Sequence, residues 1–194
     1  MVFSPVWGRT LLQLPRGQLS SFADLNRGWA SGAQESQVES LLLSLASFDE
    51  AWNLSLPHLA EEYLEWGVNR CDAFSLEELV RSKDILSQRA IGCCWILESE
   101  WSNRISPWKA YKIREKLQAL NQGFEQSALP KSEQLYIEGR VYSSLPPLLG
   151  QNFKKALVAL EMLRRFEPDE SLSVPWIHRT RQLQGKVAGL EPRL

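Results

Sequence analysis

Between residues 31 and 190, apolar side chains recur every three or four positions, the spacing of one face of an α-helix. No stretch shows the strict alternation that a half-buried strand needs. The pattern predicts about seven or eight helices with short connections, which favour antiparallel neighbours. Before them, Pro5, Gly8, Pro15 and Gly17 break residues 1–18 into irregular chain. Trp7, Leu11, Leu12 and Leu14 there can fold back on the body. Ser21 and Asp24 have the spacing to cap a short helix ending near Gly28. The chain therefore divides into an irregular N-terminal segment with a short helix, 1–30, and a single all-helical domain, 31–190.

Ser31 and Gln34 have capping-box spacing and open a helix with Val38, Leu41, Leu42, Leu45 and Phe48 on one face. Ser55 and Pro57 begin the next, predicted over 53–70, with Leu56, Leu59, Ala60, Tyr63, Leu64 and Val68 inward. Ser75 and Glu78 give a second capping box. The helix it predicts over 75–102 carries Leu76, Leu79, Leu86, Ala90, Cys93 and Leu97, with Lys83 interrupting the rhythm. Val80, Cys94 and Trp101 form a second stripe, so this helix is expected to be covered on two sides, as in the middle layer of a solenoid. Ser106 and Pro107 start a helix over 107–126 bearing Trp108, Tyr111, Ile113, Leu117, Leu120 and Phe124. Pro175 and Trp176 open the last one, with Thr180, Leu183 and Val187 inward and Arg179, Arg181 and Lys186 outward.

The most readable stretch is 131–169. Pro130 suits a helix start, and Leu135, Tyr136, Val141, Tyr142 and Leu145 follow at helical spacing. Pro146-Pro147 ends that helix, Gly150 permits a turn, and Asn152 is the candidate N-cap of the next. Leu148 and Leu149 are expected to plug the elbow. Phe153, Ala156, Leu157, Leu160 and Leu163 form the second stripe, Arg164 and Arg165 complement its C-terminus, and Pro168 stops it.

This hairpin resembles a tetratricopeptide repeat. Gly139 and Tyr142 match the motif's first helix; Ala156, Leu160 and Pro168 match its second. Leu135 takes the place of the early Trp or Leu. The elbow is about five residues longer than the usual repeat allows, and Glu138 stands where the motif has a leucine. The resemblance implies antiparallel hairpins stacked as a short tetratricopeptide-like array. It also implies a concave groove lined by the first helix's open face, here Glu133, Tyr136, Arg140 and Ser143, with Arg140 available to a carboxylate on an acidic peptide or C-terminus. The P-P-x-x-G elbow is similar to the last repeat of bacterial tetratricopeptide-like proteins, among them the helical partner protein of TRAP transporters. Tyr63-Leu64-Glu65, Leu79, Arg81 and Ala90 echo the earlier helices of that group.

Charge adds a polarity to this picture. Residues 1–100 carry 7 basic and 14 acidic side chains, and residues 101–194 carry 15 and 9. Either the basic half faces an acidic partner or the charges coat solvated helix faces. Three cysteines without framework spacing point to a reducing cytoplasm, and the first residues lack a secretory pattern; a trimmed export signal would make the protein periplasmic instead. No apolar run is long enough for a membrane span.

Candidate chemistry is sparse. His58 and His178 have no ligand-type residue at metal spacing, and adjacent Cys93 and Cys94 point apart on a helix and suit a core. Glu61-Glu62 and Glu77-Glu78 sit near helix starts, where carboxylates are favourable anyway. Trp7, Trp29 and Trp176 fall near helix ends and are candidate exposed anchors. The expectation is a protein-interaction scaffold that is not an enzyme and needs no cofactor or metal. A protein partner is expected and nucleic acid is not, with oligomeric state open. The alternative is a small-ligand or transporter-accessory protein with an apolar cavity between its helices.

Overall fold

The computed structural model describes residues 34–82, 84–166 and 173–190, and these form nine α-helices with no strand among them. In chain order they are α1 (Gln34–Asn53), α2 (Pro57–Cys71), α3 (Leu76–Arg81), α4 (Ile85–Ser102) and α5 (Pro107–Lys112). There follow α6 (Arg114–Glu125), α7 (Lys131–Ser144), α8 (Phe153–Arg164) and α9 (Ser173–Leu190), with a 3-10 turn at Pro147–Leu149. The short helix expected near residues 21–28, the Ser31 cap, Trp7, Trp29 and Pro168 lie outside the described residues.

The all-α expectation holds, and the organising element is α4. Every residue from Ala90 to Glu100 is buried, because α1, α2, α3, α6 and α7 all pack on it. Its sequence explains this. Ile91, Cys93, Cys94, Trp95, Ile96 and Leu97 spread apolar surface right round the helix, and a helix apolar on all sides belongs inside. Each large aliphatic side chain sealed there contributes about 1.5–3 kcal/mol.

Residues 75–102 do not form one helix. Asp84 interrupts it: its carboxylate accepts from the Ser87 backbone N–H at 2.8 Å and from the Ser87 hydroxyl at 2.7 Å, and Ser82 also donates to it. These bonds hold the Asp84 carboxyl down at about 2, below its usual range. The local cap outweighs the rhythm that runs on across it. Ser75 sits at the N-cap of α3 with no side-chain bond, so the second capping box is not made. Leu56, expected inward, lies exposed at the N-cap of α2. Residues 107–126 divide too, at Ile113, whose backbone leaves the helical region (φ −92°, ψ 4°). Ser106 and Asn152 do cap as expected, accepting from the N–H groups of Lys109 and Lys155.

The segments either side of the elbow, α7 and α8, lie antiparallel in close contact, and α9 packs on α8 and touches α7. Gly150 takes φ +103°, a conformation open to glycine. Leu149 packs against the core, but Leu148 is 83% exposed and plugs nothing. At Gly139 a Cβ would lie 2.6 Å from Leu160 Cγ and 2.7 Å from its Cδ2. Leu160 is fully buried and has nowhere to swing. Gly139→Ala should therefore lower stability by about 1–3 kcal/mol through overpacking, despite the better helix propensity of alanine. Urea unfolding measures this, and unchanged stability would mean that α8 can shift away.

Candidate functional site

The four residues expected to line an open groove are brought together but not into solvent. Glu133, Tyr136, Arg140 and Ser143 are each 5% exposed or less. This corrects the expected exposure, and the reason is packing: α4 and α9 lie against α7, and Asp49 of α1 reaches across to Arg140 and Tyr136. Glu133 is taken by Arg89 of α4 in a two-pronged pair at 2.9 and 3.0 Å. The Ser143 hydroxyl donates to the Arg140 carbonyl at 2.8 Å. Tyr136 and Arg140 enter a larger network.

That network alternates cations and rings. Arg104, just after α4, places its guanidinium 5.3 Å from the Trp52 ring centre and 5.5 Å from Phe48. Arg179 of α9 lies 4.3 Å from Trp52 and 4.5 Å from Trp176. Arg140 lies 3.4 Å from Trp176 and 5.5 Å from Tyr136. The order Arg104, Trp52, Arg179, Trp176, Arg140, Tyr136 thus ties α1, α4, α7 and α9 together through cation–π contacts. Arg179, expected to face outward, is held inside, and Trp176 is a buried member of the ladder, not an exposed anchor.

Two carboxylates thread the ladder. Glu100 accepts two bonds from Arg179, both at 2.8 Å, and one from the Ser144 hydroxyl at 2.7 Å, with Arg140 Nη2 at 3.5 Å. Burial alone would push its carboxyl up; the charges of Arg179 and Arg140, with the Arg179 and Ser144 bonds, outweigh burial and hold it below the usual carboxylate range. Asp49 accepts from Arg140 at 2.7 Å and from the Tyr136 hydroxyl at 2.9 Å. Here burial wins over Arg140, and the Asp49 carboxyl is raised. Its Oδ1 is shut off from solvent with no hydrogen-bond partner among the described residues, as is Arg140 Nε. Arg140 and Arg179 are thus set against Asp49 and Glu100 inside the protein, with the half-buried Arg104 at the outer end. The network joins four parts of the chain through ion pairs and cation–π contacts, and it is suited to clamping helices.

Clefts formed by the described residues reach the surface at two places of interest. One, of about 250 Å³, opens at the outer end of the ladder between Trp52, Pro175, Trp176, His178, Arg179 and Gln182. The other, also about 250 Å³, is a groove between α6 and the elbow. Its apolar floor is Trp95, Tyr142 and Leu145, its polar wall Arg114, Gln118 and Asn121, and its lip Leu148. The Arg114 guanidinium sits 5.8 Å from the Tyr111 ring centre, and the Lys155 ammonium 3.8 Å from that of Tyr142. No acidic side chain lines this groove. The sequence suggested a plugged elbow instead: the groove needs α6 opposite, a pairing that local spacing does not encode.

His58 is exposed, and Cys71, Cys93 and Cys94 are free and buried. Burial drives the Cys71 and Cys93 thiols well above their usual range. Among the described residues no group of three or more His, Cys, Asp or Glu is placed to hold a metal ion, and no helix is long and apolar enough to cross a membrane. Comparison with models of known protein families, with curated proteins and with solved structures returns no significant match.

Proposed function

We propose that this protein is a non-enzymatic interaction module built on tetratricopeptide-like hairpins, and that it holds an acidic peptide or C-terminus in the groove between α6 and the elbow. The α7–α8 hairpin, with its close approach at Gly139, supports the repeat-like reading. The buried face of α7 moves the contact surface away from Tyr136 and Arg140. The single observation that carries the reading is the groove itself: an apolar floor beside Arg114, Gln118 and Asn121, with no carboxylate among its lining residues. A carboxylate can pair with Arg114, an extended backbone can bond to the two amides, and an apolar side chain can rest on Leu148 and Tyr142. Free, buried thiols suit a reducing compartment.

The test is a polarisation titration with labelled peptides ending in acidic residues, free or amidated at the C-terminus. Arg114→Ala should weaken the best of them about tenfold or more, as loss of a charged hydrogen bond does, and Leu148→Ser should weaken it less. Equal affinity for Arg114→Ala, or a preference for basic peptides, would remove the proposal. A second reading, a small-ligand protein, rests on the cleft beside Trp52 and Trp176. It calls for tryptophan emission that responds to a small ligand and is lost in Trp52→Ala.

A further inference from the structure

The short helix α5 stands proud of the body. Of its six residues only Ala110 is buried, and Pro107, Trp108, Lys109, Tyr111 and Lys112 are all exposed. At about 100° per residue, Tyr111, Trp108 and Lys112 share one outward arc, Lys109 flanks it, and Ala110 lies opposite. Trp108 is 73% exposed and Tyr111 59%. The sequence pattern places both on one helix over 107–126 with Leu117, Leu120 and Phe124. The break at Ile113 turns them out instead, because it gives α5 a different facing from α6.

The charge around these rings is one-sided. Residues 103–116 hold Arg104, Lys109, Lys112, Arg114 and Lys116 against Glu115, in a chain whose net charge is −1. Arg104 is engaged by Trp52, and Lys116 by Glu98 and Asp72. Lys109 and Lys112 have no side-chain partner among the described residues. Two exposed aromatic rings, that of Tyr111 flanked by the Arg114 guanidinium, and two free ammonium groups thus share one convex knob.

We propose that α5 docks the protein on the surface of a lipid bilayer rich in anionic headgroups. Trp108 and Tyr111 enter the headgroup layer, where amphipathic rings settle. Lys109 and Lys112 lay their stems along the rings and carry their charges to phosphate and carboxylate groups. Shape selects the lipid surface over single-stranded nucleic acid, which is held in a cationic groove with successive stacking platforms; α5 is a knob of under two turns. The docking is peripheral, and it adjoins the peptide groove at Arg114, which flanks Tyr111 and lines the groove.

The experiment uses the whole chain and sedimentation with vesicles of phosphatidylcholine, alone or mixed with phosphatidylserine. The protein should partition onto the mixed vesicles and leave the neutral ones, with its tryptophan emission moving to shorter wavelength. Lys109→Gln/Lys112→Gln should lower the partition coefficient about 25-fold, about fivefold per cation, and Trp108→Ser should remove most of the emission shift. All three positions are exposed, so helicity by circular dichroism should be unchanged. No partition onto the mixed vesicles, equal partition of the double variant, or tighter capture of a single-stranded oligonucleotide than of vesicles would each overturn the proposal.

Discussion

Glu100→Gln should lower the stability of this protein by about 3–5 kcal/mol at neutral pH, the cost of removing one partner from a buried ion pair. Glutamine keeps the shape of the side chain, so little packing is lost. What changes is charge: Arg179 and Arg140 would face a neutral amide inside the protein. For a chain of this size the loss corresponds to a fall in Tm of about 10 °C. The pH dependence fixes the cause. The Glu100 carboxyl is held below its ordinary value in the folded state. Its contribution is therefore present at pH above the ordinary carboxylate range and is lost as pH falls through the folded value. The gap between wild type and Glu100→Gln should narrow there, since both side chains are then neutral. Asp49 acts with the opposite sign: its raised carboxyl makes ionisation cost stability as pH rises through the folded value. Urea unfolding at neutral and acid pH checks the difference. A gap under 1 kcal/mol, or one that persists in acid, would show that the ladder does not clamp the helices electrostatically.

Much of the fold was legible because its signals are local. Proline and asparagine mark both ends of α7 and the start of α8 to within a residue or two, and Gly139 announces the close approach it makes. The break before α4 was legible in principle. Asp84 and Ser87 have the spacing of a cap, but the apolar rhythm on either side concealed it. The site was harder to read. Arg140 meets Asp49 across 91 residues and Arg179 meets Glu100 across 79, and no local pattern records such a pairing. Charged side chains are expected outside, so the two arginines were assigned to solvent. One signal could have corrected this: Glu98 and Glu100 interrupt a helix otherwise apolar all round. A carboxylate in that setting must be buried, and a buried carboxylate requires a cation. The elbow groove and the exposure of Trp108 depend on where α5 breaks from α6, which is a property of the packed molecule.

Arg140→Met alone should cost about 3–5 kcal/mol, and removing its partners at the same time should restore most of that loss. Arg140 is fully buried and serves Asp49, Tyr136, Glu100 and Trp176 together. Methionine fills much of the volume but leaves the Asp49 carboxylate buried against an apolar side chain, with only the Tyr136 hydroxyl for company. In the triple variant Asp49→Leu/Tyr136→Phe/Arg140→Met those orphaned groups are gone, and Glu100 keeps Arg179 and Ser144. Stability within about 1–2 kcal/mol of wild type is expected, because apolar replacement of a buried ionic set is often near neutral. The non-additivity is the diagnostic, since side chains in one network do not contribute independently. A triple variant as unstable as Arg140→Met would place the loss in packing against Trp176 and not in the charges. The same reasoning governs binding experiments. A change at Arg140 that abolished partner capture would report on the fold that presents the groove, whereas Arg114 is exposed and lines the groove directly. Only a variant such as Arg114→Ala, folded and altered at the surface, can separate the scaffold from what it holds.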